Sequence, residues 1–220
     1  RGAPQHHATI QFWMPSANAI FRGDVDAVLS AAGDRFAAWL VLESTILPNK
    51  DHAQDKGARN WGWAQMAFLT RPDRLTFDQW LAIWQDYHTR VAIETQSNFE
   101  YVQNIVIRAL TPDAPPYAAI VEECFPESAL SDPFVFFDAV GDPAKFNANL
   151  ATMMDSCDRF IDRGIEHLYP VCRCAQRRPN AIPTGVDQAG HATLCRGGDV
   201  WGNGAALGRC GLVDRGLRRR

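Results

Sequence analysis

No apolar run in this 220-residue chain approaches the ~20 residues that a helix needs to cross a bilayer, so a membrane span is not expected. Basic surplus is missing too. With 22 Lys and Arg against 25 Asp and Glu, the net charge is −3, which argues against a nucleic-acid surface. The opening RGAPQHH has no apolar stretch of the kind a secretory signal carries, and no initiator Met. These features suggest a cytoplasmic fragment or processed product. No flavin, nicotinamide, haem or metal motif is present, so no cofactor is expected. The six cysteines do not form a framework. Cys124 and Cys157 fall in apolar strand and helix patterns, where Cys acts as a small hydrophobe. Cys172, Cys174, Cys195 and Cys210, even with His191, lack the paired C-x2–4-C spacing of structural zinc sites.

What is present describes a globular protein: 46% apolar and 21% charged residues, enough chain for a core. The charge is uneven. From Leu168 to Arg220 nine Arg stand against Asp187, Asp199 and Asp214, with no Lys, so this tail carries about +6 and the remainder about −9. The composition changes abruptly near 163–167. Beyond about residue 170 there are scattered Gly, Arg and Pro without a period of 2 or 3.6, and the segment cannot bury enough apolar surface to offset its ordering entropy. Residues 170–220 are read as a disordered or out-of-frame tail.

The rest divides into two units. Residues 8–48 read β-α-β: a strand at Ala8–Met14, a helix capped by Asp24 and running to about Leu40, and a strand WLVLESTIL. Polar residues 49–60 form a linker. The second unit, 61–169, begins with a strand at Trp61–Leu69. Thr76-Phe77-Asp78-Gln79 is a capping box. The helix after it carries Trp80, Trp84, Tyr87, His88 and Val91 along one side. Strands follow at Phe99–Leu110 and Tyr117–Phe125, separated by the turn TPDAPP. Asp142 with Pro143 starts a last helix, and GIEHLYPVCR supplies a short final strand. The order β-α-β-β-α-β is the split βαβ, ferredoxin-like arrangement of an α+β protein. The chain thus contains one and a half copies of it.

LTFDQWLAIWQDYHTRVAI, YVQN, LTPDAPPYAAIVEECFP and DPFVFFDAVGD together resemble the EthD domain family. The resemblance spans about residues 61–161. Its specific parts are Trp84/His88, the Tyr101-Gln103-Asn104 group and Glu122-Glu123. It implies the dimeric α/β-barrel type of ferredoxin-like fold, with AAWLVLESTILPN as the end of a first tandem repeat. It also implies an oxidoreductase or monooxygenase-type activity, independent of cofactors, on a small hydrophobic or aromatic molecule. A homodimer through sheet packing is an expected partner.

His88 is the expected general base, since an imidazole titrates near neutrality; its structural alternative is to pack on Trp84 and bond a carbonyl. Strand alternation puts Tyr101 and Gln103 on one face and Asn104 and Arg108 on the other. The helix-facing side should be the more apolar, which leaves Asn104 for the cavity, where an amide can stabilise an oxyanion. Both amides satisfying backbone groups is the plainer reading. Glu122 and Glu123 point to opposite sides, and the one in the cavity, taken as Glu123, has its pKa raised by desolvation. The expected catalytic set is therefore His88, Tyr101, Asn104 and Glu123, with Trp84, Gln103 and Arg108 holding substrate. Trp84 is also simply a core residue. The competing functions are a non-catalytic small-molecule-binding or assembly module and an inactive truncated relic.

Overall fold

In a computed structural model, described for residues 8–33, 35–52, 54–55 and 58–162 and for the backbone of 167–171 and 195–196, the protein is α+β. The sheet is built from β2 (Trp39–Leu47), β3 (Trp63–Leu69), β4 (Glu100–Ala109), β5 (Ala119–Phe125) and β6 (His167–Val171). They lie in the order β2-β4-β5-β3-β6, with every neighbouring pair antiparallel. Without β2, this is the ferredoxin-like order: the first and third strands of the βαββαβ unit sit in the middle. β2 extends the sheet beside β4. The short final strand expected in the sequence is β6, paired with β3.

The first unit is less regular than its sequence. β1 (Ala8–Thr9) pairs with β7 (Cys195–Arg196) in a separate two-stranded ribbon, so β2 alone brings this unit into the main sheet. Helix α1 occupies Ala19–Ala32, not residues 24–40. The side chain of Asn18 accepts from the Ile20 N–H and caps the helix a turn and a half before Asp24. Gly33 ends it, and Trp39 onward pairs with β4 instead of continuing the helix. Interstrand pairing here outweighs a helical pattern in Phe36, Trp39 and Leu40. The tail beyond residue 170 lies outside the described residues, apart from the backbone of 171 and 195–196.

The helical layer follows the capping signals. Thr76 accepts from the Gln79 N–H while the Gln79 side chain accepts from the Thr76 N–H, which starts α2 (Phe77–Ala82). Ile83–His88 then widens into a π-helical segment before α3 (Thr89–Thr95). Asp142 accepts from the Lys145 N–H and, with Pro143 at the first position, begins α5 (Pro143–Phe160). Between β5 and α5 lies a short α4 (Pro133–Phe136). The main core joins Trp80, Trp84 and Val91 of the helical layer to Ala67, Leu69, Tyr101, Ala119 and Val121 of the sheet, with Met153 and Phe160 of α5. Trp80 and Trp84 have no exposed surface, and their rings lie 5.1 Å apart. These two rings anchor the helix to the sheet. Trimming either to Ala would cost about 3–5 kcal/mol.

Candidate active site

The core contact of Tyr101 with the helical residues defines the helix-facing side of the sheet. Gln103 and Glu123 share it, because Gln103 is two residues from Tyr101 along β4 and Glu123 is the direct cross-strand partner of Tyr101. Gln65 of β3 is the partner of Glu123 on its other side. Polar side chains in this core must find partners among one another, and most of them do, Asn98 Oδ1 and Trp84 Nε1 being left without one. The Glu123 carboxylate accepts from Gln65 Nε2 and from Asn98 Nδ2, each at 3.2 Å. Gln103 Nε2 donates to Thr89 Oγ1 at 2.7 Å and approaches Tyr101 Oη at 3.4 Å. Gln85 Nε2 lies 3.4 Å from Gln103 Oε1. Thr89 Oγ1 in turn donates to the Trp84 carbonyl at 2.9 Å, which also receives the Thr89 N–H across the wide turn.

Burial changes the acidity of these groups. Desolvation drives the Glu123 carboxyl up to about 7; the bonds from Asn98 and Gln65 oppose it and only partly offset it. The Tyr101 phenol is raised above its ordinary value, first by desolvation and then by the nearby Glu123 charge, against the smaller opposing effect of the neighbouring Gln103, Trp84 and Thr89 side chains. A carboxyl poised near neutrality beside a phenol is suited to moving a proton at neutral pH.

His88 turns elsewhere. Its Nδ1 is 2.9 Å from Ser156 Oγ of α5, and its ring packs 4.5 Å from Phe160. Burial lowers its pKa to about 4, so at pH 7 the ring is neutral and a poor proton acceptor. No hydrogen bond joins it to Tyr101 among the described residues. Asn104 is on the opposite side of the sheet from Tyr101 and Glu123. Asn104 is buried there with its Nδ2 unpartnered, opposite Glu43 of β2. Arg108 is exposed near the end of β4. The carboxylate on Asn104's side is that of Glu122, not Glu123.

The seven residues singled out in the sequence are therefore distributed over four places. Trp84, Tyr101, Gln103 and Glu123 come together beneath the helices. His88 faces α5, Asn104 occupies the other side, and Arg108 is exposed at the end of β4, beyond the register shift between Leu40 and Val41. Alternation separated Gln103 from Asn104 correctly, but Glu123 was matched to the wrong amide, because two strands' faces can be aligned only once their register is known. Thr89, Gln65, Asn98 and Ser156 were missed. Thr89 could have been noticed as a hydroxyl one residue past the Trp84–His88 pair. The other three carry no local signal. Among the described residues, no group of three or more His, Cys, Asp or Glu side chains is arranged to hold a metal, and no helix is long and apolar enough to cross a membrane.

Residues 72–164 match the profile of the EthD domain family. That stretch includes the capping box, the π-helical segment, β4, β5 and α5, and hence every residue of the buried cluster except Gln65. No curated protein and no solved structure matches the chain.

Proposed function

Residues 72–164 form an EthD domain, and on that premise we propose that the chain oxidises a small hydrophobic or aromatic molecule without a cofactor, with Glu123 as its proton acceptor. The observation that carries this reading is the Glu123 carboxyl, raised to about 7 by burial, standing directly across from Tyr101. In its ionised form Glu123 takes a proton from a phenol or an enolisable carbonyl, and the resulting anion passes electrons to dioxygen. Independence from cofactors rests on the motifs missing from the sequence and on the resemblance, with its expected substrate class.

The test is oxygen uptake and product formation over a panel of phenols and aromatic ketones, with wild type and Glu123→Gln side by side. Uptake that the substitution abolishes supports the reading. Saturable quenching of Trp fluorescence with no uptake by wild type overturns it in favour of a non-catalytic binding module. A sheet-packed homodimer belongs to the same proposal. It is supported by exposed Leu42 and Ile46 on edge strand β2, next to exposed Ile107 of β4, and sedimentation velocity checks it.

A further inference from the structure

Helix α1 shows water the side that a surface helix buries. An amphipathic helix normally turns its apolar side inward and its polar side out. In α1 Ile20, Phe21 and Val28 are 79%, 66% and 68% exposed. With exposed Asp24, Ala27 and Ala31 they form one stripe, at i, i+1, i+4, i+7, i+8 and i+11. The polar Arg22 turns inward instead. It is buried, donates to the Ala17 and Leu110 carbonyls at 2.8 and 3.2 Å, and pairs with Asp26. One arginine thus fastens α1, and none of its residues joins an apolar cluster among the described residues.

The sheet has the complementary deficit. The helical layer packs on β3, β4 and β5, and from β2 only Leu47 reaches that core. Leu42 is on the same side, opposite Ile105, which packs on the core, yet Leu42 is 56% exposed. Ile107, two residues on from Ile105, is 56% exposed as well. Next to it Arg108 is exposed and, like Asp24 in the middle of the α1 stripe, makes no ion pair among the described residues. An apolar sheet face is completed by an element laid on it. One chain therefore carries an apolar helix without a sheet and an apolar sheet margin without a helix. Their lengths agree: 14 residues of helix span about 21 Å and nine residues of strand about 30 Å. A lipid surface does not suit the stripe, because α1 carries one Arg and two Asp and no Lys.

We propose that two copies of the chain associate reciprocally: the outer stripe of α1 in one lies on the uncovered margin of β2 and β4 in the other, with Asp24 against the partner subunit's Arg108. A two-fold axis makes the same contact twice. No segment has to move, because α1 stays tied to Leu110 through Arg22. Such a pairing rests on the homodimer proposed above, with a helix against β2 in place of a second sheet.

Sedimentation velocity of the full chain, with two variants measured apart and then mixed, is the test. Asp24→Arg and Arg108→Asp each place like charges in both contacts, and each is expected to weaken the dimer by about tenfold or more. In an equimolar mixture of the two variants every contact again joins opposite charges, so the dimer is expected to return. Both positions are exposed, so each variant keeps the fold, which thermal melts confirm. Phe21→Ser removes apolar contact without touching the charge pair, and is expected to dissociate the dimer by itself. If Phe21→Ser does not fold, the mixture still decides. A mixture that stays as dissociated as its two components overturns the proposal. A dimer that none of the three variants weakens overturns it too, and leaves a homodimer that uses another surface. A monomeric wild type overturns the proposal and the homodimer together. Oxygen uptake with Glu123→Gln decides separately whether the chain is catalytic.

Discussion

Glu123 and Tyr101 stand directly opposite each other across β5 and β4, on the side of the sheet covered by the helices. Side chains so paired begin about 5 Å apart at Cβ. A buried carboxyl and a buried phenol at that separation are coupled: the charge of one disfavours ionisation of the other.

The first consequence is a stability that depends on pH. The Glu123 pKa is raised in the folded protein from 4.5 to about 7. Between those values the folded state holds a proton that the unfolded state has lost, so stability falls as pH rises through this window. The full cost is on the order of 3 kcal/mol. The urea unfolding midpoint of wild type, measured against that of Glu123→Gln, should drop from pH 5 to pH 8, with Glu123→Gln the more stable of the two at pH 8; the opposing slope of His88 is common to both and leaves this difference unchanged.

His88 gives the opposite slope over a largely overlapping range. Its folded pKa is depressed from 6.5 to about 4, so the unfolded chain binds the extra proton between these values and stability rises with pH there. His88→Ala should remove this rise. It should also destabilise the fold at pH 7 by roughly 2 kcal/mol, through the lost bond to Ser156. The proton-transfer limb of any activity should keep its midpoint near that of Glu123. A midpoint that moves with His88→Ala would return the imidazole to the role of base.

Gly62 is held by the backbone. It has φ +75°, and a Cβ placed on it would lie 2.0 Å from the Phe125 carbonyl oxygen. Gly62→Ala must both enter the left-handed region and push β5 away. A loss of at least 1–3 kcal/mol is expected, visible as a lower melting temperature.

Thr76→Ala removes the acceptor of the Gln79 N–H and half of the capping box. About 1 kcal/mol of stability should go with it. Because α2 leads straight into the π-helical segment, amide hydrogen exchange should quicken through residues 77–88 before it does in α5.

Much of this molecule is local and could be read along the chain. The capping box at Thr76, the Asp142-Pro143 start of α5 and the strand Trp39–Leu47 are specified by neighbours a few residues apart, and the structure has each of them in place. The side-chain period of two likewise sufficed to put Gln103 and Asn104 on opposite faces. What the sequence could not supply is any relation between segments. The register of β4 against β5 made Glu123, and not Glu122, the partner of Tyr101. Packing against α5 gave His88 to Ser156 instead of to the sheet. The widening of a helix at Ile83–His88, which brings Thr89 back to Trp84, leaves no mark in apolar spacing. Propensity and capping act over one turn of chain, and the sequence determines them by itself. Burial and the acidity of Glu123 exist only when distant residues share a desolvated space, and these the tertiary structure decided.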